Sequence, residues 1–311
     1  MLKGRSTNMR RIFKTIEDHL TECTTLEKGV WVHLQSPTKE EVDGLTTRFN
    51  LDPTFLPAAL DEEESARIDY DSDKQQTLII VDIPYVDTEG TGYVYSTIPL
   101  GIVLCDEVII TVCTRDTPII NDFTEERIRN FWTFKRTRFI LQILQRNAGR
   151  FLSYLKQEKL EHTSRNQELL QMMKLEKSLV YFNTSLKGNA LVMERLMRQD
   201  ILKRYPEDTD LLEDVIIENK QAMEMCSIYR DIMSNTTDAF ASIINNNLNI
   251  TMKVLTALTV LFAVPTLVMT IWGINVPVPF ERQAWGFAAV CGISIILTLF
   301  AFVIMRRKNM F

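Results

Sequence analysis

The sequence predicts an α/β domain followed by a long helical stalk and two C-terminal transmembrane helices. Three observations predict it. Runs rich in Val, Ile and Tyr alternate with short helical patterns between about Thr24 and Thr117, the signature of a small mixed sheet. Helix formers then dominate: no proline falls within Thr124–Arg204, and neither glycine nor proline lies between Pro206 and Pro265. Last come two uncharged stretches, Val254–Trp272 with 19 residues and Ala284–Met305 with 22. A helix needs about 20 apolar residues to cross the hydrocarbon core of a bilayer.

In chain order, strands are expected at Gly29–Leu34, Gln76–Pro84, Thr91–Cys105 and Glu107–Thr114, with Gly90 and Gly92 marking a turn. Helices are expected at Thr38–Phe49, where Thr38 precedes Glu40 and Glu41 as a cap, and at Pro53–Leu60. After Pro118 the pattern becomes helical, with a reversal near His162–Asn166 and a stop at Tyr205-Pro206. Were Glu207–Trp272 one helix, it would be about 100 Å long at 1.5 Å per residue. Only part of that fits a bilayer, so the rest is a stalk that needs partners along its length. The organisation is thus an α/β domain over 1–123, antiparallel helices over 124–206 and a stalk over 207–253. Two spans at 254–272 and 284–305 follow, joined by a loop at 273–283 and closed by a basic tail at 306–311.

Charge sets the orientation. Lys253 precedes the first span and Arg306, Arg307 and Lys308 follow the second, while the loop carries only Glu281 and Arg282. Basic flanks stay on the cytoplasmic side, so both termini are expected inside and the loop outside, at the plasma membrane. Met1–Leu20 has five basic residues and no apolar run, so no cleavable signal peptide is expected. The net charge of −5 divides into +4 over the last 61 residues and −9 over the rest. An acidic cytoplasmic part excludes nucleic acid as a partner and is compatible with cations. The five cysteines lack CxxC spacing and the three histidines lack HxxxH or HExxH grouping, so no zinc cage of the enzyme type and no prosthetic group is expected. No phosphate-cradling glycine loop or nucleophile elbow is present, which speaks against an enzyme and against ATP-driven transport.

The first span carries a stripe. Alternating steps of four and three pick out Asp238, Asn245, Asn249, Met252, Thr256, Thr259, Ala263, Thr266, Thr270 and Gly273. A 3.5-residue repeat keeps one seam facing a common axis. This seam is small and polar, while its neighbours Leu255, Val260, Leu261, Phe262, Leu267 and Val268 are bulky. In lipid, polar residues turn toward protein or water, and two spans are too few to enclose water. Several copies around a pore satisfy the pattern; close helix packing through small residues also satisfies it. Asn245-Asn246-Asn247 and Asn249 at the cytoplasmic mouth favour the pore. Met252 and Leu255, one step inside, would form a constriction that gates by dewetting. At the outer end, Gly273 lets the chain turn and Asn275 offers an uncharged acceptor oxygen. A ring of such oxygens suits a cation that keeps its water shell, as magnesium does.

These residues resemble the CorA family of divalent-cation transport proteins. The family pattern places Gly-Met-Asn after the first of two terminal spans, with an acidic residue in the external loop. Here the triplet is Gly273-Ile274-Asn275, with Glu281 six residues on, and Met252-Lys253-Val254-Leu255-Thr256 resembles the family's gate segment. The resemblance implies a funnel-shaped homopentamer with the pore on its axis, embedded in lipid and passing hydrated divalent cations. It implies an external ring of Gly273 and Asn275, a second coordination level at Thr266, an inner one at Asn249, and a gate of Met252 and Leu255. It also implies a regulatory cytoplasmic cation, for which Asp238 supplies one ligand. The family's partner acids align with Pro57-Ala58, and the run Asp61-Glu62-Glu63-Glu64 is the nearest substitute. Isoleucine at 274 resembles the ZntB branch, which moves zinc with a proton gradient. The expected cargo is therefore magnesium, with cobalt and nickel beside it, and zinc is the alternative. A membrane-tethered sensor or scaffold that passes no ion is the remaining alternative.

Overall fold

The computed structural model describes residues 9–89, 92–105, 108–157, 165–198, 205–279 and 283–308. They divide into two compact units, Met1–Ser234 and Asn235–Phe311.

The first unit opens with a hairpin of β1 (Met9–Ile16) and β2 (His19–Cys23). Its two-residue turn, Glu17-Asp18, takes φ of 50° and 63°, the left-handed pair that a tight hairpin requires. β3 (Trp31–Gln35) follows, then α1 (Lys39–Arg48) and α2 (Phe55–Ala58). Thr38 starts α1 with a capping box: its hydroxyl accepts from Glu41 N–H while Glu41 accepts from Thr38 N–H. β4 (Arg67–Asp71), β5 (Gln76–Glu89), β6 (Gly92–Leu104) and β7 (Ile109–Cys113) complete one seven-stranded sheet, in the order β2-β1-β3-β7-β6-β5-β4. Only β3 and β7 pair in parallel; the other neighbours are antiparallel.

Strand alternation sorts the core into two faces. Ile12, Val32, Leu34, Leu78, Ile80, Val103, Ile110 and Val112 pack with α1 and α2. At Gly101 an added Cβ would fall 2.2 Å from the Ala59 Cβ, so the missing side chain lets the segment after α2 lie on the sheet. The other face carries Phe13, Trp31, Ile79, Val81, Ile83, Leu100 and Ile102. It is covered by α3 (Pro118–Thr124), α4 (Arg136–Gln157), α5 (Arg165–Arg198) and the start of α6 (Pro206–Trp272). A further cluster of Phe151, Leu155, Leu179, Phe182, Leu186, Ala222 and Cys226 joins α4, α5 and α6.

Polar pins fix where these helices sit. β4 stops opposite Ile80, which leaves the backbone of Asp82 without a strand on that side. Asn189 accepts from the Asp82 N–H, and both Asn189 and Asn147 donate to its carbonyl, each at 2.8 Å. The Asp82 carboxyl lies by Ser185, and burial pushes its pKa up to about 6.

The structure agrees with the expected fold class: an α/β domain, a long helix and two apolar C-terminal helices, the second being α7 (Gly286–Arg307). Three strands differ from expectation. β1 and β2 extend the sheet N-terminal to Thr24, and β4 adds an edge strand. The expected turn at Gly90 and the reversal near His162 fall on residues outside those described.

Candidate ion pathway

The second unit consists of the last part of α6, a loop, and α7. Along α6, Ala257 is buried, and Leu261, Val264, Pro265, Val268 and Trp272 are partly buried. On α7 the buried positions are Gly286, Val290, Ser294 and Met305, and the Trp272 ring lies 6.4 Å from that of Phe287. These residues mark the faces the two helices turn to each other. At about 100° per residue, the positions Met252, Thr256, Thr259, Ala263, Thr266 and Thr270 lie roughly 160° away on α6. All six are exposed, as are Asn245, Asn249 and Leu255. The seam read from sequence is therefore one face of a helix, and α7 covers the opposite face. An open groove of about 580 Å³ runs along it, lined by Thr259, Phe262, Ala263, Thr266, Leu267, Thr270 and Ile271.

Each seam threonine is tied to its own helix. Thr256, Thr259, Thr266 and Thr270 donate to the carbonyls of Met252, Leu255, Phe262 and Thr266 at 2.7, 2.9, 2.7 and 2.7 Å. Such back-bonding consumes the hydroxyl proton. What remains toward the groove is an oxygen lone pair, an acceptor with no charge. The waters around a hydrated cation point their hydrogens outward, so a ladder of acceptors is the chemistry they need.

At the loop end of α6 the Gly273 N–H still bonds the Met269 carbonyl at 2.9 Å. A Cβ at Gly273 would stand 3.2 Å from that same oxygen, and a backbone oxygen cannot easily yield. Gly273, Ile274 and Asn275 are exposed at the helix end. There the last carbonyls of α6 lack intrahelical donors and carry the negative pole of the helix dipole, about half a charge. The Trp272 indole N–H donates to the Pro279 carbonyl at 3.3 Å, bridging the loop. Sequence reasoning passed over this residue; an aromatic at the edge of a span, beside the proline-rich Val276–Pro279, was the available signal. Glu281 lies outside the described residues.

The regulatory candidates belong to different units. Asp61–Glu64 form a turn in the first unit, while Asp238 is exposed on α6 in the second. Asp61 accepts from the Glu63 N–H. Glu64 pairs with Arg67, and Glu62 lies 3.5 Å from Arg115. Arg115 also donates to the Tyr85 hydroxyl at 3.0 Å and stacks on its ring. Among the described residues of one chain, no three His, Cys, Asp or Glu side chains come together as a metal cage.

The family described as "CorA-like Mg2+ transporter protein" matches residues 27–307. The chain belongs to the CorA family. It is therefore a membrane transporter of divalent cations and not an enzyme, and its two apolar helices are its membrane spans. The cobalt/magnesium transport protein CorA of Methanocaldococcus jannaschii is 27% identical over 299 residues, covering 90% of each chain. In fold, the CorA magnesium transporter structure from that organism matches with a TM-score of 0.79 at 23% identity, over 98% of this chain and 99% of its own. The ZntB cytoplasmic domain from Vibrio parahaemolyticus matches with a TM-score of 0.51 at 10% identity, over 74% of this chain and 98% of its own. The CorA likeness is thus the greater of these two and extends through the spans.

Proposed function

We propose that the chain assembles as a homopentamer around the α6 seam and conducts hydrated magnesium into the cell, with cobalt and nickel as further substrates. The observation that carries this reading is the phase of α6. Its apolar face turns to α7, and its polar face is left for copies of itself. Five helix C-termini around an axis would place roughly 2–3 negative charge equivalents at the outer mouth without an ionisable group. A dication is drawn there but not held as a carboxylate ring would hold it, which conduction requires. Gly273 and Asn275 receive the hydrated ion, with Ile274 between them directing only the backbone. Thr270, Thr266, Ala263, Thr259 and Thr256 line the descent, and Asn249 and Asn245 the exit. Met252 and Leu255, 52% and 58% exposed on one chain, meet their counterparts as the hydrophobic gate.

The protein sits in the plasma membrane with both termini in the cytoplasm. An inside-negative potential then favours entry by roughly 4–5 kcal/mol per 100 mV, twice the single-charge value. Regulation by cytoplasmic metal through Asp238 needs further ligands from a second copy. Asp61, Glu62, Glu63 and Glu64 are weak candidates for that role, because Arg67 and Arg115 already neutralise part of the run.

The test is uptake into liposomes holding purified protein and a magnesium-sensitive dye. Asn275→Ala abolishes uptake while the oligomer stays intact; wild-type flux in the variant removes Asn275 from the pathway. Repeating the assay with zinc, with and without a pH gradient, separates the ZntB-like alternative, and absence of flux with every metal would leave the sensor or scaffold.

A further inference from the structure

We propose that Trp272 is the positioning residue of the external loop, holding Asn275 at the mouth by tying the end of α6 to Pro279. The inference rests on the reading of Asn275 given above. Trp272 is the last residue of α6 and immediately precedes the Gly273-Ile274-Asn275 triplet. Its indole N–H reaches seven residues along the chain to the Pro279 carbonyl. The bond closes Gly273–Val278 into a bridged loop. Its ring meets Phe287 in the first turn of α7, so one side chain touches α6, the loop and α7.

Two features make this brace effective. Pro277 and Pro279 fix their own φ, which removes two soft torsions from the stretch between the indole and its acceptor. Ordering a free loop costs about 1–2 kcal/mol per residue, and a loop ordered beforehand spends none of the ion's binding energy on it. Trp272 also lies on the α7 side of α6, away from the seam. It can set the loop from outside without entering the ion's path, and no charge is involved.

The test uses the full-length protein in liposomes, with magnesium uptake measured against magnesium concentration. Trp272→Phe keeps the ring against Phe287 and loses the N–H donor; Trp272→Ala loses both. Trp272→Phe raises the half-saturating concentration about fivefold, the size expected for one hydrogen bond, with the maximal rate nearly unchanged. Trp272→Ala weakens half-saturation further and lowers the maximal rate. Wild-type half-saturation in Trp272→Phe, alongside an inactive Asn275→Ala, overturns the brace and leaves the Asn275 reading standing. Wild-type uptake in Asn275→Ala overturns the underlying reading whatever Trp272 does. Because Trp272→Phe retains the ring, it decides the matter even where Trp272→Ala does not assemble.

Discussion

The two units of this protein solve the problem of polar groups in opposite ways. In the first, buried polar side chains reach across elements: Asn189 and Asn147 grip the Asp82 backbone, Trp31 donates to Thr111, and Asn219 to the Leu186 carbonyl. In the second, the seam threonines bond only to their own helix, one turn back. The first unit is a finished object whose core is closed within one chain. The second has one face satisfied by α7 and one left exposed. A side chain that pins two elements is there for stability, whereas one satisfied locally leaves its outer surface free for something else. On the proposed function, that difference separates residues whose loss should unfold the protein from residues whose loss should stop its transport.

The comparison can be broken by substitutions on each side. The largest stability effect belongs to the core: Phe139, fully buried against Trp31, Phe123 and Phe131, costs about 3–5 kcal/mol when cut to alanine. Denaturant melts followed by the α/β-domain signal would read it, and a loss below about 1 kcal/mol would contradict the packing.

Next comes Asp82. A carboxyl raised from 3.8 to about 6 by burial binds its proton more tightly folded than unfolded. Its contribution to stability is therefore full below the unfolded value and declines as pH rises through the folded one. Asp82→Asn removes that decline. The variant should come close to the wild type near pH 4 and exceed it by about 3 kcal/mol above pH 6.5, seen as a melting-temperature gap that widens with pH. A constant gap would show that the carboxyl is not the titrating group.

The smallest stability effect is expected on the seam. Thr266→Val keeps the shape and removes the acceptor, so unfolding shifts by less than about 0.5 kcal/mol while magnesium flux falls several-fold. Equal flux would mean that the hydroxyl oxygens do not face the ion.

Much of this was legible in the sequence, and the reasons are local. α1 announced itself through Thr38 and the acids after it, β5 to β7 through β-branched runs, and α6 through its want of glycine and proline. The β1–β2 hairpin did not, because Glu17-Asp18 takes the left-handed turn that Asn-Gly usually signals and β1 is studded with Arg10, Arg11 and Lys14. β4, Arg-Ile-Asp-Tyr-Asp, is a charged edge strand, a type that resists aggregation and hides from hydrophobic pattern. The parallel pairing of β3 with β7 joins residues 78 apart, such as Trp31 with Ile109, and no local signal records it. In the candidate pathway, a periodicity of 3.5 fixes which α6 residues share a face. It does not reveal that α7 takes the other face, that the threonine protons turn inward, or that Trp272 closes the loop. The first and last depend on where the chain goes after Gly273, and the threonine bonds depend on side-chain rotamers that a spacing does not record.

The most direct measurement is cysteine accessibility along α6 in the membrane-embedded protein. Single substitutions Thr259→Cys, Ala263→Cys, Thr266→Cys and Thr270→Cys are compared with Ala257→Cys, Leu261→Cys, Val264→Cys and Val268→Cys, using a charged, membrane-impermeant thiol reagent and the unsubstituted protein as background. The first set should react and lose magnesium uptake on modification, and the second should stay silent. Reaction confined to the second set, or uptake untouched by modification at all four of the first, would contradict a water-filled path along that face.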